Sequence, residues 1–558
     1  MTDRHIDYDR DHKHPEGETY TERMCQASKL VINGIIVLIL LYVVLLFAKL
    51  IPEVSHEDHS ADPAAAQQEH GDHAAADEHE PPPPEHAESA DTHDAAEQSQ
   101  SGHSEEPFQP HYWAVIPFAA LLLCIAILPL MRFTEHWWHH NKNRFLVAAG
   151  LGVITLIYYG VVHPGGITNH FTGAHGTEEG WDTVFAAFSN AIFAEFIPFI
   201  ILLFSLYVIS GGISLRGDLP AHPLTNCAFI GIGTLLASFI GTTGAAMVLI
   251  RPLLATNAER KHKVHTVVFF IFMVCNCGGL LLPIGDPPLF LGYLRGVPFL
   301  WTLGMWPNWL GVNSALIVIY YIWDLRAYKK EEIKDIVRDE AEVRPLKMTG
   351  LVNLPFLLGV VLCVAMIVPG KPFLGTSFSP PHFFREAAMM MLVILSLMFT
   401  HPHTRVLNKF DYLAITEVAA LFCGIFLCMQ VPVEILTLQG SAMGIDSGVK
   451  FFWATGILSS FLDNAPTYVV FFETARVLPA GSDVVTLTSG GVISAEYLVA
   501  ISLGAVLMGA NTYIGNGPNF MVKSIAEQSG IKMPSFFGYM VYSTCVLIPI
   551  FVIVTFLL

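Results

Sequence analysis

Apolar runs of about eighteen or more residues recur along most of the chain, and that length lets an α-helix cross the hydrocarbon of a bilayer. The pattern predicts helices near 30–51, 112–131, 145–163, 193–214, 224–240, 264–292, 308–324, 351–369, 387–400, 412–433, 492–515 and 535–558. Two more segments, 241–258 and 461–479, are apolar but interrupted. Residues 52–111 have the opposite pattern: Ala, Glu, Asp, His and Gln around the run Pro81–Pro84, with almost no aliphatic bulk. Such a segment cannot bury a core and is expected to be disordered. The first apolar run is followed by Lys49-Leu50-Ile51-Pro52-Glu53 rather than by a small-residue cleavage site. It therefore reads as an uncleaved anchor, not a signal peptide.

Composition agrees with the pattern. The 558 residues are 53% hydrophobic and only 14% charged, against about 25% charged in soluble domains. A soluble globular protein is excluded, and the expected class is an all-α polytopic membrane protein. The net charge of -18 is carried by a tail: residues 52–111 hold sixteen Asp or Glu and no Lys or Arg. The body from 112 onward is almost neutral, so nucleic-acid binding has no support. The nine cysteines show no spacing of a disulfide framework or a structural zinc site.

Basic residues set the expected orientation. Arg132, Lys142 and Arg144 mark one cytoplasmic loop, and Arg260, Lys261 and Lys263 another. The richest stretch is 325–350. With the amino-terminal tail inside, 24 basic residues fall inside and six outside. The expected organisation is a cytoplasmic tail (1–29), an anchor (30–51), a His-rich extracytoplasmic segment (52–111), a first half (112–325), a cytoplasmic linker (326–350) and a second half (351–558). The carboxyl end falls outside, and the expected location is a bacterial inner membrane.

The strongest signal is internal. Ser238-Phe239-Ile240-Gly241-Thr242-Thr243-Gly244-Ala245 lines up with Ser460-Phe461-Leu462-Asp463-Asn464-Ala465-Pro466-Thr467. Further on, Asn276 and Gly285-Asp286-Pro287-Pro288 line up with Asn511 and Gly515-Asn516-Gly517-Pro518. In hydrocarbon every backbone amide and carbonyl needs a partner. Paired interruptions at matching places of two halves therefore point to a transporter binding site. The first helix of one half starts outside and that of the other starts inside, which predicts inverted repeats.

These residues resemble the ion-transporter superfamily of inverted-repeat carriers, which includes sodium/proton antiporters of the NhaD type and carriers of citrate, dicarboxylates and arsenite. The resemblance covers roughly 190–325 and 410–558, and does not reach 1–111. It implies re-entrant hairpins at Thr242-Thr243-Gly244 and Asp463-Asn464-Ala465-Pro466-Thr467. It also implies unwound helices at Gly285-Asp286-Pro287-Pro288 and Gly515-Asn516-Gly517-Pro518, with an elevator-like motion and a homodimer.

Charge narrows the substrate. Dicarboxylate carriers of this superfamily typically place neutral Ser-Asn-Thr-like motifs at the hairpin tips, whereas this chain has Asp463 at one tip and Asp286 in the opposite unwound segment. A carboxylate at a helix centre in the membrane costs roughly 2.5–3.5 kcal/mol by insertion scales, and is tolerable if it holds a cation or a proton. The expected activity is exchange of Na⁺ or Li⁺ for H⁺. Asp463 and Asp286 are the expected shared carboxylates, with Asn464, Thr467, Thr242, Thr243, Asn276, Asn511 and Asn516 as neutral oxygens or caps. Expected partners are inorganic ions and lipid, with Na⁺ as cargo and no cofactor.

Other groups are weaker candidates. Glu195 and Glu417 occupy similar depths in matching helices and could form a second proton site. Glu434 and Glu473, near helix ends, read as solvated. Arg251 and Arg476 follow the two hairpin tips, where they could close the hairpins by ion pairing or reach to the interface. Cys275 and Cys277 read as core packing. His56, His59, His70, His73, His79, His86, His93, His103 and His111 could bind zinc, copper or nickel weakly, or serve as a solvated spacer. Two alternatives stay open: an anion carrier for citrate, a dicarboxylate or arsenite, and a metal-binding membrane protein worked by its His-rich tail. No nucleophile elbow, Walker loop or HExxH is present, so no enzyme is expected.

Overall fold

The structure is a computed structural model that describes residues 20–52 and 108–556, apart from Arg132, His175, Glu342, Leu374 and Gly375. The eight histidines from His56 to His103, and most of the amino-terminal tail, lie outside the described residues. Among the described residues, seven helices are long and apolar enough to cross a membrane: Glu22–Phe47, Asn141–Val161, Trp181–Ser210, Pro223–Ile240, Val264–Leu281, Leu413–Ala442 and Phe536–Thr555. The architecture is that of an all-α polytopic membrane protein.

The chain opens with α1 (Tyr20–Phe47), which turns mostly exposed apolar residues outward. Next come α2 (Ile116–Ile127), α3 (Asn141–Val161) and α4 (Trp181–Ser189), which runs through a π turn (Asn190–Phe196) into α5 (Ile197–Ser210). Pro198 sits in the first turn of α5 and has no N–H for the preceding turn. A widened turn just before it accommodates that loss.

A helical hairpin follows, α6 (Pro223–Ile240) and α7 (Thr242–Thr256), joined by Gly241 alone. Gly241 has φ 79, a conformation that side chains with a Cβ rarely adopt. Then come α8 (Val264–Met273), α9 (Pro287–Leu294) and the long α10 (Trp306–Tyr328). The second half contains α12 (Asn353–Met366), α13 (Phe384–Phe399), α14 (Pro402–Leu407) and α15 (Leu413–Gln439). Its hairpin is α16 (Gly448–Phe461) and α17 (Asn464–Arg476), followed by α18 (Ala495–Met508), α19 (Gly517–Gln528) and α20 (Phe536–Thr555).

The structure departs from the apolar pattern in three ways. The run 264–292 is not one helix: it breaks between α8 and α9, where Gly278, Gly279, Pro283 and Gly285 interrupt the ladder. The first limb of the second hairpin, α16, and helix α19 are helices that the apolar runs do not mark, because Gly, Ser and Lys dilute them. The stretch 326–350 is folded: it holds α11 (Ile333–Ala341) and β2 (Arg344–Thr349), which pairs antiparallel with β1 (Ser214–Asp218). A second small hairpin pairs β3 (Val484–Thr486) with β4 (Val492–Ser494).

Polar clamps hold the helix ends. Arg405 is almost fully buried and donates to the Val208 carbonyl at 2.5 Å and to Ser396 Oγ at 2.9 Å. It thereby satisfies the carboxyl end of α5, where a cation suits the helix dipole. Asn408 donates to the carbonyls of Gly211 and Ile213. At the far end of α10, buried Asp324 accepts from Arg260 at 2.6 and 3.0 Å and pairs with His265 at 2.8 Å. The backbone N–H groups of Lys261 and His262 donate to Glu331. That network ties the loop after α7 to the start of α8 and the end of α10.

The breaks are closed by tight backbone contacts. A Cβ on Gly285 would sit 2.2 Å from the Gly279 oxygen, and one on Gly515 would sit 2.6 Å from the Gly509 oxygen. Gly285→Ala is therefore expected to lower the thermal unfolding midpoint in detergent, with a loss of about 1–3 kcal/mol or more. An unchanged midpoint would show that the break can open without strain.

Candidate functional site

The four interruptions form two matched pairs in the structure. Asp286 is the residue before α9, and Asn516 the residue before α19. Counting back from each, the tight glycine contacts fall at the same offsets: Gly279 with Gly285, and Gly509 with Gly515. Ser238 at the end of α6 donates to the Gly278 carbonyl at 2.5 Å, and Ser460 at the end of α16 donates to the Met508 carbonyl at 3.2 Å. Leu281 N–H donates to Ser238 Oγ, and in the matching place Asn511 Nδ2 donates to Ser460 Oγ. This register sets Asn511 opposite Leu281, so the sequence pairing of Asn511 with Asn276 does not hold. The spacing to the following glycine differs between the two asparagines, and the backbone follows the glycines.

Asp286 stands where all four interruptions meet. Its residue is 1% exposed. Its carboxylate accepts from Thr242 Oγ1 at 3.1 Å, Asn464 Nδ2 at 2.6 Å and Asn516 Nδ2 at 3.0 Å. Thr242 and Asn464 are the first residues of α7 and α17, and Asn516 precedes α19. Four helix amino-termini thus converge on one carboxylate, and their partial positive ends favour its charge. Among the described residues no Lys or Arg is one of its hydrogen-bond partners. The Thr242 N–H also donates to the Gly285 carbonyl, closing the first tip on the first break.

Along the breaks lie buried oxygens without donors. Asn276 and Asn464 are fully buried, Asn511 nearly so, and the Oδ1 of each has no hydrogen-bond partner. Asn276 spends its amide on Ile271 and on Asn519 Oδ1 at 2.7 Å, and Asn516 also donates to the Cys275 carbonyl. A Cβ on Gly509 would meet Asn276 Oδ1 and the Gly515 oxygen, each at 3.2 Å, and Asn464 Nδ2 at 3.6 Å. Only glycine leaves that space open. A carboxylate with uncommitted carboxamide oxygens is the donor set of a hard cation.

The remaining tip residues are less central. Asp463 is half-buried and caps α17, its Oδ1 accepting from Ala465 N–H at 3.1 Å. Thr467 Oγ1 donates to the Asp463 carbonyl. Thr243 is half-buried on the first turn of α7.

The outlying acids are engaged by ion pairs. Glu195, in the π turn, pairs with Arg295 at 2.9 Å, and Arg295 pairs with Glu473 at 3.0 Å. Glu473 is 5% exposed and also meets Arg476 at 3.4 Å. The reading of Glu473 as solvated is therefore corrected: Arg295 draws it inward. Glu434 likewise accepts from Tyr159 and pairs with His163. Glu417 pairs with Arg144 at 2.8 Å. Arg295 is the residue that sequence reasoning missed, because a lone Arg after an apolar run reads as a loop charge. Cys275 and Cys277 are buried and in no disulfide. Among the described residues no three His, Cys, Asp or Glu side chains gather as a metal site.

The helices and this buried polar centre define a membrane carrier rather than a soluble binding protein. The family model described as "Putative citrate transport" matches residues 108–558, and the chain belongs to that family. No curated protein matches the chain. The protein is thus an integral multi-pass membrane protein of the ion and citrate transporter superfamily.

Arg295 joins the π turn to the second hairpin, and its removal leaves half-buried Glu195 without its ion pair and buried Glu473 with Arg476 alone. Arg295→Gln is expected to destabilise the protein by about 3–5 kcal/mol. Adding Glu195→Gln and Glu473→Gln should recover most of that loss, as read from thermal unfolding in detergent. A triple variant no more stable than the single one would mean that packing, not charge, governs the cluster.

Proposed function

We propose that the protein is a secondary active carrier that exchanges Na⁺ (or Li⁺) for H⁺ across a bacterial inner membrane. The observation that carries this reading is Asp286, a buried carboxylate of one interruption held by neutral donors from the other three, with no basic partner among the described residues. In the cation-bound state the carboxylate and the uncommitted oxygens of Asn276, Asn464 and Asn511 surround the ion. In the other state a proton on Asp286 replaces it. Competition for one carboxylate couples the two fluxes. Asp463 and Thr243, at the hairpin tips, line the entry, and Thr467 braces the Asp463 turn.

The matched breaks support two inverted repeats whose hairpins, α6–α7 and α16–α17, are re-entrant. Such a pair opens one site alternately to each face. An elevator-like motion in a homodimer, with the histidine segment and the carboxyl end outside the cytoplasm, fits this scheme. Glu195 and Glu417, each paired with an arginine, are proton sites only in a state where those pairs open.

A second reading is favoured by the family match: cation-coupled citrate transport. Convergent helix amino-termini suit an anion. An ionised Asp286 opposes one, since two like charges 4 Å apart repel by about 4 kcal/mol at an effective dielectric of 20. A citrate carrier of this build therefore needs a cation or proton on Asp286 first.

Purified protein in liposomes with an internal pH dye separates these readings. An imposed Na⁺ gradient is expected to move internal pH in the wild type, and Asp286→Asn should reduce the change to the protein-free background. Asp463→Asn should slow exchange as well. Labelled citrate uptake that needs Na⁺, with no citrate-free pH change, would replace the antiport reading by symport. An active Asp286→Asn protein would remove Asp286 from the mechanism altogether.

A further inference from the structure

A cavity of about 720 Å³ lies between the start of α8, the carboxyl end of α10 and α20. Its wall is apolar and aromatic: Ile319, Ile322, Trp323 and Tyr542. Trp323 stacks on Tyr542, with ring centroids 5.7 Å apart at 17°, and on His265 at 6.1 Å and 5°. Ile322 and Trp323 are 43% and 37% exposed, so this wall is open.

The rim carries positive charge. Arg326 and Lys330 line the cavity four residues apart at the end of α10, and both are exposed. Neither has an acidic partner among the described residues. Lys261 and Lys263 complete the rim, but they are engaged: Lys261 by Glu332 and Asp335, and Lys263 by the carbonyls of Asn257 and Ala258. Asp324 and Glu331 behind the rim are held by Arg260, His265 and the backbone of 261–262, so they do not neutralise Arg326 and Lys330.

We propose that this cavity binds an anionic phospholipid, with the phosphodiester on Arg326 and Lys330 and an acyl chain along Ile319, Ile322, Trp323 and Tyr542. α8 and α20 begin, and α10 ends, on this one face. The cavity therefore sits at the depth where headgroups meet acyl chains, and Trp and Tyr favour that depth. Basic pockets between membrane helices at this level recognise lipid phosphates. A water-soluble phosphate would use the cations alone and has no need of the exposed aromatic wall. The inference does not depend on which ion or anion is carried.

The test uses the purified full chain in mixed micelles with phosphatidylglycerol or phosphatidylcholine carrying brominated acyl chains, which quench tryptophan. Phosphatidylglycerol is expected to give a saturable quench that phosphatidylcholine does not. Trp323→Phe should lose that component. Arg326→Gln with Lys330→Gln should weaken it roughly thirty-fold, from about a fivefold effect per cation near the surface. Lys371→Gln with Lys532→Gln, which removes two exposed charges elsewhere, should leave it unchanged. Equal quenching by both lipids, a saturable quench that survives Trp323→Phe, or wild-type affinity in the Arg326/Lys330 variant would each overturn the proposal. Displacement by glycerol 3-phosphate at the same concentration as the lipid would also overturn it, by showing a site for free phosphate.

Discussion

The carboxylate of Asp286 accepts hydrogen bonds from Thr242, Asn464 and Asn516 at the place where two helical hairpins and two broken helices meet. Each of those segments leaves backbone groups unpaired at membrane depth, and none could end there alone. The carboxylate gives three of them a common acceptor and belongs to the residue that opens the fourth. In return, four helix amino-termini and three neutral donors stabilise its charge without a cationic side chain. The arrangement leaves the charge incompletely compensated, and carboxamide oxygens of Asn276, Asn464 and Asn511 stand uncommitted along the breaks. The centre thus joins the breaks and at the same time keeps a carboxylate that no cationic side chain among the described residues meets.

Elsewhere the chain treats buried charge in the opposite way. Arg295 engages Glu195 and Glu473, Arg260 engages Asp324, and Arg385 engages Glu386 at 2.6 Å. Arg260 grips both oxygens of Asp324, the fork geometry a guanidinium matches best, while Arg295 bridges two carboxylates and Arg385 puts two nitrogens on one oxygen of Glu386. These pairs sit at helix ends or between helices, where they fix positions and leave little charge to be exchanged. The contrast between paired acids and the unpaired Asp286 separates the scaffold from the candidate site more clearly than burial does, since both groups are buried.

Much of this was legible in the sequence, for identifiable reasons. The apolar runs announced the membrane helices, and Gly, Pro, Asn and Asp inside two of them announced the breaks, because few other residues can end a helix in hydrocarbon. The hairpin alignment of Gly241-Thr242 with Asp463-Asn464 matches the observed helix boundaries. What could not be read was partnership across long separations. Glu473 looked solvated because its partner, Arg295, lies 178 residues away. Asn276 looked equivalent to Asn511 because identity is visible in a sequence and the glycine contacts that set the register are not. Helix α16 was missed because its limb of the hairpin is diluted by Gly, Ser and Lys.

The match between the halves is also informative where it fails. At the hairpin tip the first half has Gly241 and the second has Asp463; at the unwound helix the first has Asp286 and the second has Asn516. Each half contributes one carboxylate, at a different one of its two breaks. Had both stood in the unwound segments, Asp286 and a carboxylate in place of Asn516 would face each other across one hydrogen bond. Like charges at that separation would hold a proton between them and leave no room for a cation. Asparagine at 516 turns that repulsion into a donor, and the second carboxylate moves to the half-buried tip, where its own helix caps it. The broken symmetry therefore gives a single buried carboxyl group at the centre and a second at its margin.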